Sequence, residues 1–356
     1  MTSKLLILVA VAACGGGGGG GDVNGVDGGL DLADAGGEEC VLPSTSPSWL
    51  LEQQDLDLQR MTGEAATPDG AMLQERSTAA NRNATRAFLE DRFVELGYQP
   101  LFDDYGSGIN IYAELEATQT TDDTIVIGAH FDTVPGSPGA NDNATGVALV
   151  LAAARYAREV ECRSHNLLFV LFDEEEIGLV GSDQFAQLLA RPDFGARVVE
   201  VHTIDQNGWD DDGDRGFELE RPDGNLVNGY FEARSEEGLA MPIHQTSTGF
   251  TDHVSFRTHG FSAIGITEEY VNGDTTPHYH LSSDSYETVD RDYLASTTRV
   301  FLRMLGNKLR SPAASARGDA PRAGLDERYR TALTTPRQPS MRRPGGCRGR
   351  MRVTVR

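Results

Sequence analysis

Three residues that could bind a metal ion lie at or just after the apolar run "TIVIGAH", in a stretch rich in Gly, Pro and Asn. His130 ends the run, Asp132 lies two residues further on, and Asp142 lies ten residues after Asp132. Imidazole nitrogen and carboxylate oxygen are common zinc ligands, and ligands of open α/β sheets bind beyond the carboxyl ends of strands. Gly, Pro, Asn and Asp also form ordinary turns. This stretch by itself leaves a metal site and a simple turn equally open.

Two later apolar runs also end in acidic residues. The run "VVEVHTI" is followed by Asp205. The run "NLLFVLF" is followed by four consecutive acids, Asp173, Glu174, Glu175 and Glu176. Like charges crowded near a core are unfavourable unless a cation compensates them. A pair of divalent metal ions would do so, and the segment "TTPHYHLSSDSYE" supplies two imidazoles, His278 and His280.

Amphipathic helices are predicted before, between and after these runs. Each is an apolar stripe at helical spacing, which is typical of a core-facing helix. Gly97 is a C-terminal cap for the first stripe, and Asp290 is an N-cap for the third. The stripes are Leu89, Phe93 and Leu96; Val147, Val150, Leu151, Ala154 and Ala157; and Leu294, Thr298, Phe301, Leu302 and Leu305.

The strands are predicted from four short apolar runs, "TIVIGA", "NLLFVLF", "VVEVHTI" and "SAIGI". Runs that are apolar on both faces and alternate with amphipathic helices indicate a mostly parallel sheet that helices cover on both sides. We therefore predict an α/β fold: a three-layer sandwich with a mostly parallel mixed sheet, forming a single catalytic domain over residues 40–310.

The N-terminus resembles an export signal. Lys4 precedes "LLILVAVAA", an apolar segment too short to span a bilayer but suited to a signal peptide over residues 1–13. The following "VAAC" resembles the lipobox of bacterial lipoproteins, which predicts lipidation of Cys14 and a Gly/Asp-rich tether over residues 14–39. A simple cleaved signal is the alternative. We expect a cell-envelope lipoprotein on the periplasmic or outer-surface face, touching the membrane only through the Cys14 anchor, or a secreted protein without it.

The net charge of −23 is unevenly distributed. Residues 311–356 carry 11 Arg and 3 acidic residues, whereas the remainder holds 20 basic and 51 acidic residues. A body this acidic argues against nucleic-acid binding, which needs clustered Lys and Arg. The Arg-rich tail lacks apolar periodicity and is predicted to be disordered. We expect a monomer that takes peptide substrates and no nucleic acid.

Four cysteines remain to be assigned. None has a Cys-x-x-Cys partner, which argues against a thiolate zinc site. If Cys14 is lipidated, a disulfide between Cys40 and Cys162 is the predicted pairing, since Cys347 lies in the irregular tail and export permits oxidation. The sequence alone does not establish this pairing.

Five motifs occur in a fixed order, "HFD", "GANDN", "EEIGLVGS", "TIDQ" and "YHLSSD". Together they resemble the co-catalytic di-zinc peptidase family that includes bacterial leucyl aminopeptidases, glutamate carboxypeptidases and glutaminyl cyclases, over roughly residues 76–307. The resemblance implies two Zn²⁺ ions bridged by Asp142. It assigns His130 and Asp205 to one ion, and Glu176 and His280 to the other.

The resemblance also implies the catalytic residues. Asp132 would orient His130 through its second ring nitrogen. Glu175 would be the general base, because the downstream "IGLVGS" aligns the paired glutamates at 175 and 176 and leaves Glu174 as a bystander. A metal-bridging hydroxide would attack the peptide bond. The implied activity is that of an aminopeptidase, which removes N-terminal residues.

Other activities remain open on the same residues. A carboxypeptidase or glutaminyl cyclase could share these ligands; we favour an aminopeptidase because the domain is compact, and because cyclases of this family typically use one zinc. A non-catalytic binding module would lack ligands, yet every position is filled. Deacylases with an inserted lid domain also resemble the "HFD" segment, but His280 follows Asp205 by only 75 positions, which leaves no room for the lid.

Several assignments are less secure. His278 could replace His280, although the spacing to Asp284 favours His280. Gln206 and Asn207 follow Asp205 where the family often has an apolar residue. Further expectations are a supporting role for Asp252 in "TDHVSF", a calcium site or a solvated turn in "WDDDGD", and a cis peptide bond at Asp142–Asn143 that the resemblance implies.

Overall fold

The computed structural model describes residues 40–310. The predicted signal peptide (1–13), the tether (14–39) with Cys14, and the Arg-rich tail (311–356) lie outside the described residues and stay predictions. Within residues 40–310, no helix has both the length and the apolar character needed to cross a bilayer.

Within residues 40–310, eight strands form one mixed sheet. The strands are β1 Leu101–Asp104, β2 Ile109–Leu115, β3 Asp123–His130, β4 Asn166–Phe172, β5 Arg197–Ile204, β6 Phe217–Glu220, β7 Ile243–Thr246 and β8 Ala263–Glu268. Their order across the sheet is β1-β2-β4-β3-β5-β8-β6-β7. Four neighbouring pairs are parallel, namely β3 with β4, β3 with β5, β5 with β8, and β6 with β7. The other three pairs are antiparallel.

In the described part of the chain, seven α-helices cover the two faces of this sheet. The helices are α1 Leu50–Thr62, α2 Ala79–Glu95, α3 Thr145–Glu159, α4 Val180–Leu189, α5 Gly224–Glu237, α6 His253–Thr258 and α7 Arg291–Arg310. One face of the sheet packs against α4 and α6, through an aromatic cluster that includes Phe172, Phe185 and Phe256. The other face packs against the remaining five helices in a larger apolar core. The predicted three-layer α/β sandwich is therefore confirmed.

The three predicted stripes lie on α2, α3 and α7 and face the larger core. Gly97 follows α2 at φ +82, and its N–H and that of Tyr98 bond back to the carbonyls of Val94 and Phe93. This is the pattern in which a left-handed residue caps the last carbonyls of a helix. At α7, the Asp290 carboxylate accepts the N–H of Tyr293, as an N-cap does.

Strands β1, β2, β6 and β7 were not predicted. They lie toward the two edges of the sheet, and three of them are only four residues long. Sequences such as "LFDD" and "FELE" are too short, and too interrupted by acidic residues, to show a sustained apolar run. Strand β3, by contrast, is eight residues long, and all eight are buried.

Strand β3 lies between β4 and β5 at the centre of the sheet. The chain passes from β3 to β4 on one side and then to β5 on the other, so the order reverses at β3. The crevice beyond the carboxyl ends of strands at such a reversal is where α/β sheets bind ligands. The residues that follow β3, β4 and β5 are therefore placed around one crevice.

Cys40 and Cys162 form the predicted disulfide, with Cα atoms 5.8 Å apart. The bond links the segment before α1 to the loop between α3 and β4. It joins residues 122 positions apart in sequence.

Glu200 on β5 is predicted to make stability depend on acidity. Burial alone would raise its pKa, but hydrogen bonds from His202 and Lys308 outweigh burial and lower it from 4.5 to about 2. Its stabilising contribution is thus complete above pH 4.5 and is lost as pH falls toward about 2, because the unfolded chain takes up the proton first. Urea unfolding across this range should show a smaller loss of unfolding free energy for Glu200→Gln than for the wild type. The exposed control Glu90→Gln should follow the wild type; equal slopes for Glu200→Gln would contradict the prediction.

Candidate metal centre

Side chains from five segments converge at the crevice. His130 ends β3, Asp205 directly follows β5, and Glu176 lies in the loop between β4 and α4. Asp142 lies in the distorted turn Ala140–Ala144 that leads into α3, and His280 lies in the loop between β8 and α7. The structure brings together all five residues that the resemblance assigns as metal ligands.

The five side chains form two adjacent groups that share one carboxylate. In the first group, His130 Nε2 lies 3.3 Å from Asp142 Oδ1 and 3.5 Å from Asp205 Oδ1. In the second, His280 Nε2 lies 3.3 Å from Asp142 Oδ2 and 3.1 Å from Glu176 Oε2. Asp142 presents one oxygen to each group, which is the arrangement of a carboxylate that bridges two metal ions.

Three polar atoms of this cluster are suited to binding a metal ion. Within residues 40–310, His130 Nε2, Asp205 Oδ1 and Glu176 Oε1 are buried and form no hydrogen bond. Buried polar atoms are normally hydrogen-bonded. Imidazole nitrogen and carboxylate oxygen are the donors that zinc accepts, so a zinc ion would satisfy these atoms.

The charges of the cluster also favour a cation. Burial and the neighbouring Asp142 carboxylate raise the pKa of Glu176 to about 8. Burial raises the pKa of Asp205 to about 6, although His130 acts to lower it. For His130, burial alone would lower the pKa, but the carboxylates of Glu175 and Asp205 outweigh burial and hold it well above its ordinary value. Each shift shows negative charges buried side by side, which a bound cation would relieve.

Asp132 supports the cluster through three contacts. Its Oδ1 lies 3.4 Å from Nδ1 of His130, on the ring edge away from the cluster. The same carboxylate accepts the backbone N–H of Glu175 at 3.0 Å and that of Glu176 at 3.2 Å. Asp132 thus lies against the ring edge of His130 where the resemblance implies an orienting role, and it also fixes the backbone that carries the two glutamates.

Two residues hold the segment of Asp142. The Asp284 carboxylate accepts the backbone N–H groups of Asn141 at 2.8 Å and Asp142 at 3.1 Å. The fully buried Arg76 donates to the carbonyls of Phe131, Met61, Pro138 and Gly139, and so ties the end of β3 to the turn. Asp284 belongs to the "YHLSSD" motif, but no sequence pattern pointed to Arg76. The Asp142–Asn143 peptide bond is cis, as the resemblance implies.

The other candidate residues lie outside the cluster. His278 bonds to Ser283 Oγ at 3.0 Å and packs edge-on against Trp209, so His280 is the histidine that joins the cluster. Asp252 is fully buried beside the cluster. Burial raises its pKa to about 7; the charge of His130 acts to lower this pKa, and the charge of Asp205 acts to raise it. Carboxylate oxygens of Asp210, Asp212 and Asp214 lie within 4.8 Å of one another in an exposed loop. A calcium ion in that loop stays a prediction.

Glu174, interpreted from the sequence as a bystander, lies outside both groups of candidate ligands, but its side chain has partners of its own. Its side chain is buried, forms an ion pair with Arg82 at 2.8 Å and accepts a hydrogen bond from Ser107 at 2.7 Å. The sequence did not reveal this because both partners come from distant segments, α2 and the β1–β2 turn.

A cavity of about 290 Å³ opens beside the cluster. Its walls include the aromatic side chains Phe250, Tyr270 and Tyr279. The ring of Tyr279 stacks on His280, with centroids 3.7 Å apart. A mainly apolar cavity bordered by a few polar groups is typical of a small-ligand pocket.

Fold and cluster together define the class of the protein: an α/β sandwich with a candidate metal centre at the carboxyl ends of its central strands. The chain belongs to peptidase family M28, which matches residues 110–305. Aminopeptidase YwaD of Bacillus subtilis (strain 168) is 29% identical over 175 residues, which are 48% of this chain and 38% of that protein. The chain thus spans less than half the length of this relative.

Two solved structures share the fold. The LapA aminopeptidase of Legionella pneumophila has a TM-score of 0.62 at 22% identity, covering 74% of this chain and 73% of its own. A glutaminyl cyclase of Bacteroides thetaiotaomicron also has a TM-score of 0.62, at 16% identity, covering 75% of this chain and 99% of its own. Both similarities support the fold and do not separate the two activities.

Proposed function

We propose that the protein is a zinc-dependent aminopeptidase that uses two zinc ions, with Glu175 as its general base. The observation that carries this proposal is Asp142, whose two oxygens face the His130 group and the His280 group separately. A single-ion site would not need a carboxylate shared in this way. Relatives named as aminopeptidases, such as the Bacillus subtilis protein, support the same activity.

The chain's own residues supply the ligands and the proton transfer. His130 and Asp205 would hold one ion, Glu176 and His280 the other, and Asp142 both. When bound, the two ions would lower the pKa of a water molecule between them and polarise the substrate carbonyl. Glu175 would accept the proton of the attacking water and return it to the leaving amine.

The surroundings of Glu175 support this role. Its Oε2 lies 4.0 Å from His130 Nε2, while its backbone N–H is fixed by Asp132 at 3.0 Å. Burial, followed by the charges of Asp252, Asp205 and Asp142, keeps its pKa well above its ordinary value, against the lowering effect of His130. A carboxylate with a raised pKa is suited to take a proton and give it back.

The cavity beside the cluster would take the side chain of the substrate's N-terminal residue. Phe250, Tyr270 and Tyr279 give it aromatic walls, and Glu175 and Asp205 border it on the side of the cluster. An apolar side chain would gain burial there. The free α-amine of the substrate would then lie near the carboxylates of the cluster.

The catalytic unit is proposed to be residues 40–310, exported and held at the cell envelope by a lipid on Cys14. The disulfide between Cys40 and Cys162 supports export, because disulfides persist in oxidising compartments.

Removing Cys14 should release the protein from the membrane fraction of the producing cell, with no change in its catalytic constants.

The experiment that tests the activity is hydrolysis of a panel of aminoacyl-p-nitroanilides before chelation, after chelation and after zinc is returned. We expect release of p-nitroaniline that chelation abolishes and zinc restores. Blocked peptides and peptides that begin with Gln are the comparison substrates for the carboxypeptidase and cyclase alternatives. Turnover of those alone, with two zinc ions bound, would replace the aminopeptidase proposal, and absence of bound zinc would overturn the metal centre.

A further inference from the structure

Glu174 adopts a backbone conformation that favours glycine. Its φ is +59°, in the left-handed region that side chains rarely occupy. It directly precedes Glu175 and Glu176, so its backbone angles set the direction in which the proposed base and ligand leave the end of β4. A non-glycine residue stays in this conformation only where its surroundings fix it.

The carboxylate of Glu174 contacts two polar partners. The Arg82 guanidinium, on α2, lies 2.8 Å from Oε1 of Glu174. The Ser107 hydroxyl, in the turn between β1 and β2, donates to Oε2 at 2.7 Å. The side chain of Glu174 is only 5% exposed, and that of Arg82 is 12% exposed, so water screens the ion pair weakly.

The loop after β4 is thus held from two sides. On the side of the metal cluster, the Asp132 carboxylate accepts the N–H groups of Glu175 and Glu176. On the opposite side, Arg82 and Ser107 hold the carboxylate of Glu174. The carbonyl of Glu174 also accepts the N–H of Val180 at the start of α4, at 3.0 Å.

We propose that Glu174 is a positioning residue, whose contacts with Arg82 and Ser107 aim Glu175 and Glu176 at the metal cluster. The proposal rests on the proposed function, because it concerns the base and one ligand of that site. Glu174 itself faces Arg82 and Ser107 and belongs to neither group of candidate ligands.

The contact between Glu174 and Arg82 can be removed without removing the other contacts of Arg82. Arg82 also pairs with Asp173, at 2.6 Å, and Asp173 accepts the N–H of Ile109. These contacts stay in place when the side chain of Glu174 is changed. A variant at position 174 therefore tests the loop rather than the attachment of the helix.

Three substitutions separate the side-chain contacts from the backbone angle. Glu174→Gln keeps both contacts, since its amide oxygen can accept from Arg82 and its amide nitrogen can donate to Ser107. Glu174→Gly keeps the backbone angle and loses both contacts. Glu174→Ala loses the contacts and disfavours the angle. Glu90→Ala, on the exposed face of α2, is the control for a lost glutamate.

We expect kcat to fall by about 10–100-fold in Glu174→Ala, less in Glu174→Gly, and by no more than about threefold in Glu174→Gln, which is the range for residues that support metal ligands. KM should stay within about twofold, because the substrate pocket is unchanged. Zinc affinity, measured by competition with a chelator, should follow the same order, since Glu176 is a ligand. The control should match the wild type in every measurement.

Each result decides the proposal. Wild-type kcat and zinc affinity in Glu174→Ala would overturn it; if that variant does not fold, equal values for Glu174→Gly and Glu174→Gln would overturn it. If the wild type binds zinc but hydrolyses no aminoacyl substrate, the proposed function fails. The order of zinc affinities then still tests the positioning role of Glu174.

Discussion

Glu175→Gln is expected to lower kcat for aminoacyl-p-nitroanilide hydrolysis by about 10²–10⁴-fold, the range over which a positioned general base contributes. The amide has nearly the shape of the carboxylate but cannot accept a proton. The backbone N–H of residue 175 still bonds to Asp132, so the loop should keep its position. Bound zinc should be unchanged, because Glu175 is not one of the proposed ligands.

The measurement is kcat and KM for the best substrate of the panel, together with zinc content determined on the same sample. Glu90→Gln, on the exposed face of α2, is the control for replacing a carboxylate by an amide and is expected to keep full activity. A Glu175→Gln enzyme with wild-type kcat would show that another group carries the proton. A loss of activity that accompanies a loss of zinc would instead place Glu175 among the ligands.

The centre of the fold could be predicted because its strands are apolar on both faces. Strands β3, β4, β5 and β8 appear in the sequence as continuous apolar runs, and each lies inside the sheet. Three of the other strands, β1, β6 and β7, are only four residues long, and "IHQT" of β7 resembles a loop in composition. Whether such a segment forms a strand depends on the strand that lies beside it in the folded protein, and the local sequence gives no information about that neighbour.

The candidate ligands could be located because each follows or lies near a recognisable segment. His130 and Asp205 end strands, Glu176 precedes "IGLVGS", and His280 belongs to "YHLSSD". The sequence could not show that their side chains lie within hydrogen-bonding range of one another, since they come from segments up to 150 residues apart. The distances around Asp142 supply that information.

Two supporting residues, Arg76 and Glu174, could not be predicted from the sequence, whereas Asp132 could. Arg76 acts through backbone carbonyls, which every residue possesses, so its partners leave no mark in the sequence. Glu174 was set aside because it stands next to two better candidates. Its partner Arg82 precedes it by 92 residues. Supporting contacts of this kind depend on tertiary structure, whereas ligand motifs are local.

Asp142→Asn is expected to abolish tight binding of both zinc ions, and activity with it. Asp142 lies 3.3 Å from His130 Nε2 through one oxygen and 3.3 Å from His280 Nε2 through the other. Asparagine offers one oxygen and places an NH₂ group, which cannot bind a metal ion, toward the other site. It also removes a negative charge from between two cations. Zinc affinity should fall more than about 100-fold, since even residues that only support ligands account for about 10–100-fold.

Comparison with single-site variants makes this prediction specific to a bridging ligand. Asp205→Asn and Glu176→Gln each remove a ligand from one proposed ion, so each should keep one zinc ion per chain at a free zinc concentration that saturates the wild type. Asp142→Asn should keep none under the same conditions, and Asp214→Asn, in the exposed acidic loop, should keep two. Zinc content after equilibration in a zinc buffer, determined by mass spectrometry, distinguishes these results. If Asp142→Asn keeps one tightly bound ion, Asp142 serves a single metal, and the shared carboxylate no longer supports a two-ion site.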